Sequence, residues 1–176
     1  MSMPSQEGKY WGKYRGTVIN NIDPQGVGRL MVEVPEVLSL APSSWALPCA
    51  PLAGPGGPMG VYIVPPIGSG VWVEFEHGDP DYPVWVGCRW GAPSDVPPDV
   101  KLGNPVLPSI VMQSMLQNVI VISDMPGPTG GITLRSTTGA SIMVNDLGII
   151  IQNGQGASIT LTGPTVTINQ GALIVT

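Results

Sequence analysis

After Trp90 the sequence contains no aromatic residue. All ten aromatics of the 176-residue chain lie between Tyr10 and Trp90, and the 86 residues that follow hold none. A compact core ordinarily uses rings as bulky filler, so the second half of the chain must pack in another way. Charge is scarce too: 11% of residues are ionised, seven basic against twelve acidic, for a net −5. Seven scattered cations make no patch for a phosphate backbone, which argues against nucleic acid as a partner. There is one histidine, His77, and there are two cysteines, Cys49 and Cys88. No Ser-His-Asp or Cys-His nucleophile arrangement can be argued from these, and no glycine cluster is followed by the Lys or helix pattern of a phosphate loop. No catalytic residue, metal or cofactor is expected. No apolar run approaches the roughly 18 residues of a membrane span. The opening MSMPSQEGKY lacks the apolar core of a signal peptide, so synthesis and retention in a cytoplasm until assembly is expected. The cysteines sit in apolar, strand-like contexts, WALPCAPL and VWVGCRW, and read as buried free thiols.

What is present is glycine, proline and β-branched residues. Gly and Pro make up 44 of 176 residues, and 43% of the chain is hydrophobic with a Val/Ile alternation that favours ordered β-structure. Residues 10–92 read as about five short strands. YRGTVINNI precedes the turn DPQGVG, and in RLMVEVPEV the residues Leu30, Val32 and Val34 share one face. SSWALPCAPL reads as a broken strand and PMGVYIVPPIGSG as a strand with a turn. VWVEFEHGDPDYPVWVGCRW reads as a hairpin whose turn is built by Gly78, Asp79, Pro80 and Asp81. Five strands in about 80 residues without a convincing helix suit a small OB-type barrel. Residues 93–108, rich in proline, read as an extended linker, and 109–130 as a transitional strand segment.

From residue 131 to 176 the chain is rhythmic. Gly131, Gly139, Gly148, Gly156, Gly163 and Gly171 are spaced by 8, 9, 8, 7 and 8 residues. Between them lie aliphatic pairs at i and i+2: Ile132 and Leu134, Ile142 and Val144, Ile149 and Ile151, Ile159 and Leu161, Val166 and Ile168, Leu173 and Val175. Period two places each pair on one face of a strand. Short strands with two inward side chains apiece cannot close a core, and a single-chain β-helix needs roughly 20 residues per turn to surround its own interior. Repeats that cannot bury their apolar face stack against neighbours, so the missing walls are expected from other copies. Three intertwined chains would form a triangular prism, with those twelve aliphatics as its core and the six glycines at its corners. A narrow three-sided interior accepts Ile, Val and Leu but no ring, which accounts for the missing aromatics. An ordinary β-sandwich with chance repetition is the alternative.

Three stretches carry a family resemblance. YRGTVINNIDPQGVGRLMVEVPEV is similar to the opening strands of the OB domain in phage baseplate assembly protein V and the corresponding part of type VI secretion VgrG proteins. PPIGSGVWVEFEHGDPDYPVWVGCRW resembles that family's hairpin with its GDPD turn, and the glycine-punctuated tail resembles its triple-stranded β-helix. The resemblance spans about residues 10–176. It implies an all-β chain, an OB barrel followed by an intertwined triple-stranded β-helix, acting as the central spike of a contractile-tail baseplate. It further implies a homotrimer, attached to a hub protein at the OB end, that pierces the target envelope when the sheath contracts. Neither a fused hub domain nor a muramidase insert is present, so the hub is expected to be a separate protein. No His-x-His apex occurs, and a PAAR-type tip protein is expected over GALIVT.

Sharper readings fare worse. Glu74 and Glu76 share a strand face, but no cleft or oriented substrate accompanies them, and Asp79 and Asp81 are explained by turn chemistry. Stacking of single-stranded nucleic acid on Trp72, Trp85 and Trp90 is opposed by the acidic charge, which three copies would triple. The remaining alternatives are an OB-fold ligand-binding protein and a trimeric fibre that recognises a glycan.

Overall fold

The computed structural model describes residues 8–54 and 59–175. They divide into two compact units, with the boundary between Pro93 and Ser94. The regular secondary structure of the described residues is predominantly β, and none of their helices is long and apolar enough to cross a membrane.

The first unit contains β1 (Tyr14–Asn20), β2 (Met31–Glu33), the four-residue α1 (Pro35–Leu38), β3 (Leu47–Pro48), β4 (Ala53–Gly54), β5 (Met59–Gly60), β6 (Gly70–Phe75) and β7 (Pro83–Arg89). Five of the strands form one sheet in the order β2-β1-β6-β7-β3. The sheet curls round on itself. Leu30, just before β2, exchanges two backbone hydrogen bonds with Ala46, just before β3, so the two edge strands are joined. Val18, Leu30, Val32, Val34, Ala46, Val71, Val73, Phe75 and Trp85 fill the interior. The alternation around Leu30, Val32 and Val34 therefore marks the core as the sequence indicates. Trp85 sits inside with its indole Nε1 donating to the Gly28 carbonyl at 3.0 Å, which satisfies its one polar atom.

Two readings differ from what is observed. RLMVEVPEV is not one strand: Pro35 fixes φ for the first turn of α1 and ends β2 after Glu33. PMGVYIVPPIGSG contributes only Met59–Gly60, paired with Ala53–Gly54, and the pairing stops before the consecutive prolines 65 and 66, which lack amide donors. The hairpin is observed as read, with the bulge at Trp72/Val73 as an added feature.

The loop between β1 and β2 is organised by one carboxylate. Asp23 accepts from the backbone N–H of Gln25, Val27 and Arg29 at 2.9–3.2 Å and from Nε and Nη2 of Arg29 at 2.9 and 2.6 Å. The guanidinium also lies over the Trp45 ring, 5.3 Å from its centroid. The Arg29 side chain, helped by those backbone donors, holds the Asp23 carboxyl well below the usual carboxylate range. A depressed native pKa stabilises the fold above the unfolded value of about 3.9 and loses that contribution as pH falls below it. The urea midpoint of the wild-type chain is thus expected to drop more steeply below about pH 4 than that of Asp23→Asn. Parallel pH profiles for the two proteins would show that the loop carboxylate is not stabilising.

In the second unit β8 (Ile110–Gln113), β9 (Val119–Ser123), β10 (Gly131–Arg135), β11 (Ser141–Asn145), β12 (Gly148–Gln152), β13 (Ser158–Thr162), β14 (Thr165–Ile168) and β15 (Leu173–Val175) follow one another. They form a single eight-stranded antiparallel meander in strict chain order. Residues 109–130, expected as a transition, supply its first two strands. The stretch read as an extended linker is folded into short turns, 3-10 helices at Pro93–Asp95 and Pro98–Leu102 and an Asx turn in which Asn104 Oδ1 accepts from Val106 N–H at 2.9 Å. Thr176, the last residue of the expected shaft, lies outside the described residues.

Candidate functional site

In the meander the register decides which residues share a face. Ile132 stands opposite Val144 and Leu134 opposite Ile142. Ile142 and Val144 stand opposite Ile151 and Ile149, which in turn face Ile159 and Leu161. Those two pair with Ile168 and Val166, and these with Leu173 and Val175. Directly opposed residues of an antiparallel ladder point the same way, so all twelve aliphatics lie on one face. A slip of one residue at any hairpin would have sent the aliphatics of every strand beyond it to the other side.

The face is longer than the glycine rhythm indicates. Ile132 and Leu134 also stand opposite Ile122 and Ile120, which pair with Ile110 and Met112. Sixteen aliphatic side chains from eight strands therefore make one continuous surface with no polar residue in it. Nine of the twelve named first are exposed in the single chain, from 36% for Ile149 to 55% for Val175, and Leu161, Val166 and Ile168 are half-buried. A soluble domain rarely leaves such a face open unless it is an interaction surface. The opposite face carries Thr133, Met143, Ile150, Thr160 and Thr167, a mixed surface.

All six glycines of the rhythm have positive φ. Gly139, Gly156 and Gly163 lie in the turns of the meander and Gly171 in the 3-10 turn before β15, while Gly131 and Gly148 open β10 and β12. They mark the ends of strands, where the chain reverses.

In the first unit the GDPD turn joins β6 to β7 as an Asx turn. Asp79 Oδ1 accepts from Asp81 N–H at 3.1 Å, and the Tyr82 N–H donates to the Asp79 carbonyl at 3.0 Å. Gly78 has φ +72, and its carbonyl accepts from the Tyr10 N–H at 2.8 Å, tying the N-terminal segment to the hairpin. The neighbouring acids have structural partners: Glu74 pairs with Lys13, and Asp79 lies 4.0 Å from Lys9. No group of three or more His, Cys, Asp or Glu residues that would hold a metal occurs among the described residues.

Cys49 and Cys88 are free, but they are exposed, not buried. β3 pairs with β7 only at Val84 and Trp85, so the end of β7 that carries Cys88 is paired with β6 on one side and left open on the other. Both thiols line an apolar groove of about 310 Å³ with Val27, Pro48, Tyr62 and Trp85. Partial desolvation there pushes the Cys88 thiol above its ordinary value. Trp90 is 67% exposed and does not stack with the other indoles.

Two family models match this chain. Residues 14–90 match the type VI secretion system/phage-baseplate injector OB domain. Residues 109–174 match the phage baseplate V C-terminal trimerisation domain. No curated protein sequence matches. The curled five-stranded sheet coincides with the first match and the eight-stranded meander with the second, and together the two cover most of the chain. The chain belongs to the phage baseplate V family, as a spike-type structural protein of a phage or injection-machine baseplate.

Proposed function

We propose that three copies of the chain form the central spike of the baseplate, and that the sixteen-residue aliphatic face is the observation on which this rests. Each meander supplies one wall of a three-sided prism, with Ile132 to Val175 and the four residues of β8 and β9 turned inward. Full burial of such side chains contributes about 1.5–3 kcal/mol each. Left as a single sheet, the same residues would forfeit most of that while the backbone still lost about 1–2 kcal/mol of conformational free energy per ordered residue. Eight strands at the ~4.8 Å interstrand spacing make a shaft of about 35 Å. The dry interior and the continuous ladder of hydrogen bonds resist buckling, and stiffness is the property that driving a needle through an envelope demands.

In this reading the OB unit attaches the shaft to a separate hub protein, and exposed Met59, Val61, Tyr62 and Ile63 offer apolar surface for that contact. A PAAR-type protein finishes the tip beyond β15. The protein acts mechanically, without a catalytic site or cofactor. The sharpest test is the solution mass of the intact chain by light scattering. Three times 18.4 kDa is expected; a well-folded monomer would overturn the three-walled prism.

A further inference from the structure

An ion pair links the stretch before β8 to the third strand of the sheet. Asp99, in the 3-10 turn Pro98–Leu102, accepts two hydrogen bonds from Arg135 Nη2, at 3.1 and 2.8 Å. Asp99 is nearly enclosed, its side chain 10% exposed, while Arg135 is 43% exposed. Arg135 closes β10 and stands opposite Val119 of β9 and Ser141 of β11. Val119 in turn stands opposite Gln113 of β8. Arg135, Ser141, Val119 and Gln113 thus belong to the face opposite the aliphatic one, and Val119 and Ser141 are buried. The turn Pro98–Leu102 therefore lies near the strand ends of β8 to β10 on that face. The chain then reverses at Asn104–Leu107 and enters β8.

We propose that Asp99 and Arg135 are positioning residues, a clamp that carries load past the edge strand into the body of the sheet. β8 is the outermost strand and is paired on one side only. A force reaching the sheet through the chain at Ile110 alone would act on that edge first and peel β8 from β9 one hydrogen-bonded pair at a time. With Asp99 held on Arg135, part of the same force enters at β10, two strands further in, and the ladder is loaded across several strands together. The inference rests on the spike reading for its purpose, but the clamp itself is a property of one chain.

Lys101 supplies the readout, because trypsin cleavage after it requires the turn Pro98–Leu102 to open. When opening is fast relative to cutting, the cleavage rate follows the population of the open form. Asp99→Asn and Arg135→Gln are each expected to raise the rate of cleavage after Lys101 in the intact protein by about fivefold, the scale of a partly exposed ion pair. The double variant should match either single, since both changes remove one contact. Unchanged rates, or single effects that multiply in the double variant, would overturn the clamp. Light-scattering mass measured on the same samples separates the two readings. A monomeric wild-type chain would sink the spike assembly, while the cleavage ratios would still decide the clamp.

Discussion

Replacing Ile151 with Asp is expected to abolish the proposed trimer at neutral pH. Ile151 lies near the middle of the aliphatic face, opposite Ile142 on one side and Ile159 on the other, with no polar side chain among its ladder partners. Three-fold assembly would bring three such carboxylates into the dry interior, where none has a cation or donor to meet it. An unpaired buried charge costs far more than the loss of one aliphatic contact, and the chain escapes that cost by staying apart. The light-scattering mass should fall to that of one chain. Protonation softens the defect, because a neutral carboxyl is cheaper to bury and its pKa rises in apolar surroundings; any recovery of assembly should therefore come on acidification. Thr160→Asp is the control. Thr160 stands opposite Thr167 and Ile150 on the other face, and its variant should keep the mass of the parent. If Ile151→Asp instead remained a heat-resistant trimer, the face turned inward would be the wrong one.

The parts of this architecture that sequence reveals are those set by short-range periodicity. Alternation at i and i+2 marks Ile132, Leu134 and their ten successors, and a two-residue period leaves no freedom about which side chains share a face. The same alternation is present in Ile110 and Met112 and in Ile120 and Ile122. Without glycines to frame it, the signal there is too short to distinguish from any other strand, so the sequence pattern marks the surface only from residue 131 onward. Prolines act on a local scale as well: Pro35 cuts β2 short, and after the Val61 N–H donates to the Leu52 carbonyl the hydrophobic run forms no further strand as it approaches prolines 65 and 66, which lack donors. The ion pair of Asp99 and Arg135 spans 36 residues and depends on how the turn Pro98–Leu102 folds back, which no local pattern encodes. Exposure of Cys49 and Cys88 is likewise a matter of how far β3 extends beside β7. Apolar neighbours in sequence do not decide it.

The second large effect is expected from a single methyl group at Gly148. This glycine opens β12 after a two-residue turn, with φ +144, and a Cβ built there would lie 1.9 Å from the Leu161 carbonyl oxygen of β13. That oxygen is backbone in the neighbouring strand, so no rotamer change relieves the overlap. The strands must part or the register must shift, and a shift of one residue would carry Ile149 and Ile151 to the opposite face. Gly148→Ala is therefore expected to cost at least about 3 kcal/mol per chain, and in the proposed trimer three chains would share the defect at one level of the assembly. Gly156→Ala makes the informative comparison. It too has positive φ, at +103, but a Cβ there meets nothing within 4 Å, so only backbone strain of about 1–2 kcal/mol is added. Thermal unfolding followed together with light scattering should show Gly156→Ala as a modestly weakened trimer and Gly148→Ala as a chain that fails to assemble or melts far earlier. Equal effects would mean that positive φ alone explains both glycines. In that case the close approach of β12 to β13 would not be what holds the register on which the aliphatic face depends.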